Sequence, residues 1–163
     1  MSGICPAQNQ NYDRNRKYNM NEEFTRTLTG ASLAYVGDAS LEVMVRRFLV
    51  GLGICSSGKL NRLALDFVRA TAQSAAVDNI LPRLDENESY IYKRGRNAHG
   101  ISIPKSASAR EYRRATGFEA LFGYLELSGR TARAKELFEL AYADTIERLK
   151  AEARGNEVAV PIE

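Results

Sequence analysis

An all-α bundle is the fold class this sequence predicts, and three observations predict it. Apolar residues recur at three- and four-residue spacing from Phe24 to Leu149. Strand-like alternation is absent. Capping residues and glycines fall where the periodicity stops, as at Ser56, Asp85 and Ser128-Gly129. With 163 residues, 44% hydrophobic and 26% charged, the chain is ordinary globular material and long enough for one domain with a real core.

A short amphipathic stretch carries Phe24 and Leu28. The next helix starts near Ser32 and shows Leu33, Val36, Gly37, Leu41, Met44, Val45 and Phe48 on one stripe, stopping at Gly51 and Gly53. Ser56 or Ser57 caps a third, long helix through Leu60, Leu63, Ala64, Phe67, Val68 and Ala75, which closes before Pro82. Asp85-Glu86-Asn87-Glu88 has the form of a capping box and opens a short helix through Tyr92. Gly95, Gly100 and Pro104 mark the longest internal loop, up to about Ser106. A fifth helix spans about Ala109 to Leu127, and a last one carries Ala134, Leu137, Phe138, Leu140, Ala141, Ile146 and Leu149. Residues 1–22, rich in Asn, Gln, Tyr and charge, read as a flexible tail, residues 23–152 as the folded domain and residues 153–163 as a C-terminal tail.

Several function classes lose their parts on inspection. Nothing approaches the ~18 consecutive apolar residues of a membrane span, and the N-terminus shows no hydrophobic signal core. Cys5 and Cys55 form neither a disulfide framework nor a metal spacing, so a reducing cytoplasm fits best. His99 is the single histidine, which excludes multi-histidine metal sites and two-histidine ribonuclease chemistry. Walker and dinucleotide glycine motifs are absent.

Two acids stand out instead. Asp38 interrupts the apolar, small-residue run Leu33-Ala34-Tyr35-Val36-Gly37-Asp38-Ala39, and Glu119 interrupts Phe118-Glu119-Ala120-Leu121. At roughly 100° per residue each falls at the border of its helix stripe, where two packed helices could bring them together beside small residues. A hard cation wants oxygen ligands of this kind. An ion pair with Arg46, Arg113 or another base is the competing explanation on spacing alone. Between Tyr90 and Thr116 the bases Lys93, Arg94, Arg96, Lys105, Arg110, Arg113 and Arg114 face the single acid Glu111, a local excess that favours a polyanion despite a net charge of only +3.

These residues resemble Mini-ribonuclease III in order and spacing over roughly residues 28–145. The resemblance is carried by Leu33–Ala39, Val68-Arg69-Ala70-Thr71-Ala72-Gln73, Lys93-Arg94-Gly95-Arg96-Asn97-Ala98, Pro104-Lys105, Tyr112-Arg113 and Phe118–Leu125. It implies a ribonuclease III catalytic domain without a double-stranded RNA-binding domain, acting as a homodimeric, Mg²⁺-dependent endonuclease on double-stranded RNA, with Mn²⁺ as a substitute. It further implies 5′-phosphate and 3′-hydroxyl products, a role in maturation of the large-subunit ribosomal RNA precursor, and a ribosomal protein as a further partner candidate. Carried over by residue, Asp38 and Glu119 match the two essential metal-binding acids. Arg94, Arg96, Asn97 and Lys105 match the RNA-binding loop, and Arg113 joins them as a further RNA-contacting base. Glu42, one turn beyond Asp38, is a candidate outer ligand. Two acids of full-length ribonuclease III are replaced here, by Ala34 and Thr116, as they are in Mini-ribonuclease III. Asn61, where a histidine is expected, and His99-Gly100-Ile101 depart locally and bear on loop preference.

For the dimer surface the second helix, with Tyr35, Leu41 and Phe48, is the first candidate, its apolar residues serving equally well as core. The alternative function is a non-catalytic helical RNA-binding or ribosome-assembly factor, and a weaker one is a protein-interaction bundle with a solubilising basic face.

Overall fold

The computed structural model describes residues 22–98 and 108–157, and these form eight α-helices with no strand among the described residues. They are α1 (Glu22–Thr27), α2 (Gly30–Gly51), α3 (Ser57–Val68), α4 (Ala70–Ile80), α5 (Glu86–Arg96), α6 (Ala109–Leu127), α7 (Thr131–Ala141) and α8 (Ala143–Glu157), with a 3₁₀ turn at Leu81–Arg83. The all-α expectation is met. Residues 1–21, His99, Lys105 and residues 158–163 lie outside the described residues.

Local chemistry sets most boundaries. Thr29 caps α2 by accepting from the Ser32 amide, two residues earlier than the apolar pattern suggests, and Ser56 caps α3. Both α5 and α6 open on complete capping boxes, Asp85 with Glu88 and Ser108 with Glu111. Gly129 takes φ 71°, and the following Arg130 amide bonds back to the Leu125 carbonyl at 2.8 Å, closing α6.

Three elements differ from the sequence expectation. The long third helix is two, because Arg69 is extended (φ −66°, ψ 143°) between α3 and α4. No glycine or proline marks that kink; it lets α3 pack on α2 while α4 packs on α6. The last helix is likewise broken at Tyr142, and its second half, α8, continues to Glu157. Finally, α5 does not stop at Tyr92 but runs through Lys93-Arg94-Gly95-Arg96, so the basic block is helical.

At the centre lies α6, packed on by α2, α4 and α5. It is not amphipathic with one apolar face: from Ala115 to Leu125 every residue is buried except Glu119. Around its middle an aromatic cluster joins Phe67, Phe118, Phe122, Phe138 and Tyr142, with ring centroids 4.8 to 6.0 Å apart. Tyr142, at the α7–α8 break, donates its hydroxyl to the Phe67 carbonyl at 2.9 Å. On α2 the buried stripe is Leu33, Ala34, Gly37, Leu41, Val45 and Leu49. Of the three residues expected on an outer dimer face, Leu41 is core at 2% exposure and Phe48 packs edge-on against Phe67, so only Tyr35 stays outside, at 83% exposure.

Candidate active site

The two isolated acids meet where α2 crosses α6. The helices approach so closely there that a Cβ added to Gly37 would lie 1.7 Å from the Glu119 carbonyl oxygen, and one added to Gly123 would lie 1.9 Å from the Leu33 carbonyl oxygen. Only glycine fits this backbone-to-backbone contact. Because Asp38 follows Gly37, and Glu119 is itself the residue Gly37 rests on, the crossing sets the two carboxylates side by side. Their mutual repulsion is felt at Glu119: burial first, and the Asp38 charge second, push its carboxyl up to about 7, against a hydrogen bond from Gln73 that favours the ionised form. Asp38 is exposed and Glu119 half-buried, so the pair is shielded on the protein side and open to solvent.

Among the described residues neither acid has an ion-pair partner. Arg46, the base expected to compete for Asp38, is taken by Glu42 at 2.5 Å. That pairing also engages Glu42, and no cluster of three acid, histidine or cysteine ligands forms among the described residues. Ala34 is buried, and the buried Thr116 spends its hydroxyl on the Tyr112 carbonyl at 3.0 Å, so neither position supplies a further ligand. Two like charges set together, with no cationic partner among the described residues, fit a divalent cation, which would offset the repulsion and draw its remaining ligands from water and substrate. Asp38 and Glu119 are the residues that would hold it.

The basic block lies against the same stretch of α6. At Gly95 an added Cβ would meet the Ala120 Cβ at 2.4 Å, next to Glu119 in the chain, and at Gly30 one would meet the Arg94 carbonyl oxygen at 2.6 Å. Its arginines are not equivalent. Arg94 ties α5 to α1 by donating to the Arg26 carbonyl at 2.5 Å, and within α5 it lies over the Tyr90 ring at 5.9 Å. Arg96 is exposed, with a 3.3 Å bond to the exposed Asn97, and Arg113 is exposed on α6. Arg114 is a structural base, bonded to the Ser74 carbonyl and to Asp78.

No role for Gln73 follows from the sequence alone. Its signal was a polar residue at a core position of α4, legible only once α4 is separated from α3.

A family model described as the ribonuclease III domain matches residues 31–130, from the start of α2 to just past α6, and so contains both acids. The all-α fold and this match thus define a ribonuclease III-type domain. Relatives narrow this further. Over 122 residues the chain is 48% identical to Mini-ribonuclease 3 of Symbiobacterium thermophilum, covering 75% of this chain and 93% of that one. With Mini-ribonuclease 3 of Desulfitobacterium hafniense it shares 46% over 112 residues, covering 69% and 71%. A crystal structure of a protein from Fusobacterium nucleatum aligns with a TM-score of 0.67 at 28% identity, over 74% of this chain and 92% of that one. The chain belongs to the Mini-ribonuclease 3 family of endoribonucleases.

Proposed function

We propose that the chain hydrolyses phosphodiester bonds of double-stranded RNA, with Asp38 and Glu119 holding a divalent cation, Mg²⁺ in the cell and Mn²⁺ as a substitute. The observation that carries this reading is the coupling of two unpaired acids across the Gly37–Gly123 crossing. A cation bound there supplies Lewis-acid stabilisation of the phosphoryl group and a water nucleophile at neutral pH. The protein supplies charge and position: Glu119 must release its proton to serve as a ligand, and Asp38, already at the surface, keeps the site accessible to a phosphate. Glu42 stands as an outer residue, reached through water and in competition with Arg46. Water adds across the P–O3′ bond, leaving a 5′-phosphate and a 3′-hydroxyl.

Arg96, Asn97, Arg113 and Lys105 are the proposed backbone contacts, with Arg94 shaping the end of α5 as well as adding charge. Contacts of this kind read the A-form duplex by shape. The proposal includes a homodimer that sets two acid pairs along one duplex. Tyr35, Val43 and Val50 leave apolar side chains exposed on α2, beside a groove of about 940 Å³ between α2 and α7–α8, and this face is the proposed contact. Precursor ribosomal RNA is the proposed substrate and the cytoplasm the proposed setting, with a ribosomal protein as a further partner; no described helix is long and apolar enough to cross a membrane.

The test is cleavage of duplex RNA by the purified protein in Mg²⁺ and in EDTA, beside Asp38→Asn and Glu119→Gln. Cleavage is expected only with the cation, and each substitution should lower it at least about a hundredfold, since one lost electrostatic contact to the transition state is worth that much. A variant that binds duplex but cuts as fast as the wild type would overturn the site. Duplex binding by a wild type that never cuts would favour the ribosome-assembly alternative.

A further inference from the structure

We propose that Arg26 contacts the phosphate backbone of the duplex, held at the basic end of α5 by its bond with Arg94, so that α1 forms part of the RNA-binding face. This deepens, and rests on, the reading of duplex RNA as the substrate. The residues matched by the family model begin at position 31, after α1. Yet α1 is a fitted part of the bundle: Thr25 is 0% exposed, Leu28 packs on the core and the helix rests against α6. Arg26 points away from that packing and is exposed. Its backbone is fixed, because Arg94 donates to its carbonyl at 2.5 Å. The start of α2 closes the corner from the other side, where a Cβ added to Gly30 would meet the Arg94 carbonyl oxygen at 2.6 Å and the Gly95 Cα at 2.9 Å. Gly37, beside the acid pair, lies two turns further along the same face of α2, about 10 Å by helical rise.

Charge at this corner is left uncompensated. Arg26 on α1 and Lys93 and Arg96 on the last turn of α5 are exposed, and none of the three has an ion-pair partner among the described residues. Glu23, one turn before Arg26, forms no pair with it. Arg94 differs, with one amino group on the Arg26 carbonyl and its guanidinium over the Tyr90 ring. Arg94 is therefore the anchor, and Arg26 the free guanidinium that it brings alongside. A guanidinium is a planar fork of donors that matches two oxygens of one phosphate. Three uncompensated cations at one corner suit a run of phosphates better than a single anion.

The experiment uses the full chain with Arg26→Gln, which removes the charge and leaves the backbone carbonyl that Arg94 holds. Binding of a fluorescent RNA duplex is measured in EDTA by anisotropy across a salt series, beside melting and a kcat and KM determination in Mg²⁺. The Kd should rise several-fold at low salt, and the slope of log K against log salt should fall by about 0.7–0.9, one phosphate contact. The melting temperature should not move, and the loss of activity should fall on KM. Arg26→Lys, which keeps the charge, should restore the wild-type slope. Arg94→Gln should lower the melting temperature, and adding it to Arg26→Gln should weaken binding by less than the two single losses combined. If the glutamine variant does not fold, Arg26→Met, which keeps an apolar stem, should show the same loss of slope. A folded Arg26→Gln with wild-type Kd and slope overturns the inference and leaves duplex binding standing. Weaker binding with an unchanged slope also overturns it, because no phosphate contact has then been lost. Wild-type protein that binds no duplex overturns the RNA reading and this inference with it.

Discussion

Glu88 on α5 is fully buried and Glu119 on α6 half-buried, and their surroundings are opposite. Glu88 is fully buried and saturated: Arg133 reaches its two oxygens at 3.0 and 2.8 Å, Arg130 lies at 3.3 Å, and the Asp85 amide donates at 3.1 Å. The hydrogen bond to Glu88 in turn pushes the Arg133 guanidinium up from its ordinary range. Glu119 has a neutral amide and a second acid for neighbours. A bundle able to bring two arginines to one carboxylate has left another beside a like charge. Charges that serve the fold are neutralised inside it, whereas a charge kept for a ligand is left uncompensated.

The largest effect is expected at the crossing that builds the acid pair. Gly37→Ala or Gly123→Ala places a Cβ within 2 Å of a backbone carbonyl oxygen, which no side-chain adjustment relieves. Neither variant should reach a stable native fold, a loss beyond the ~1–3 kcal/mol of ordinary overpacking, as circular dichroism and melting would show. Next comes Glu88→Ala, which leaves two arginine charges facing an emptied site. It should cost about 3–5 kcal/mol in denaturant melts, the range for removing one partner of a buried pair. The fraction still folded should cut RNA at the wild-type rate. Loss of activity beyond loss of folded protein would make Glu88 part of the site.

A smaller effect is expected at the basic end of α5. Arg96→Ala with Arg113→Ala should weaken duplex binding several-fold at low salt without moving the melting temperature, and should reduce the slope of log K against log salt by about 0.7–0.9 for each lost phosphate contact. Arg94→Ala should lower stability as well, because its guanidinium also holds the Arg26 carbonyl. Unchanged binding in the double variant would reduce the block to a solvated face.

Much of this was legible in the sequence where local chemistry decides. The capping box at Asp85, the span of α6 and the stripe of α2 follow from side chains that act within one or two turns. So does the placing of Asp38 roughly 100° off the stripe centred near Gly37. What was not legible depends on partners distant in the chain. The kink at Arg69 and the break at Tyr142 have no breaker residue; each serves helices that pack on different neighbours. Glu88 reads as the last residue of a capping box, and nothing near it announces Arg130 or Arg133. Gln73 could be quoted in a motif but not placed, because its burial depends on how α4 packs against α6, far along the chain. Isolation in an apolar run marked Glu119, but only the crossing shows that no arginine answers it among the described residues.

Whether Glu119 is held uncompensated for a divalent cation is decided by melting wild type and Glu119→Gln with and without Mg²⁺ at pH 5 and pH 8. Because the Glu119 carboxyl is raised to about 7 from its usual 4.5, the folded protein holds that proton more tightly than the unfolded chain. Its contribution to stability therefore falls as pH rises from about 4.5 and is lost above about 7. Without metal, Glu119→Gln should be at least as stable as wild type, by a margin that widens from pH 5 to pH 8. Saturating Mg²⁺ at pH 8 should raise wild type by roughly 5–10 °C, as expected for about 2–3 kcal/mol of ligand linkage, and should leave Glu119→Gln unmoved. A glutamine variant that melts well below metal-free wild type at pH 8, or gains as much from Mg²⁺, would contradict the account.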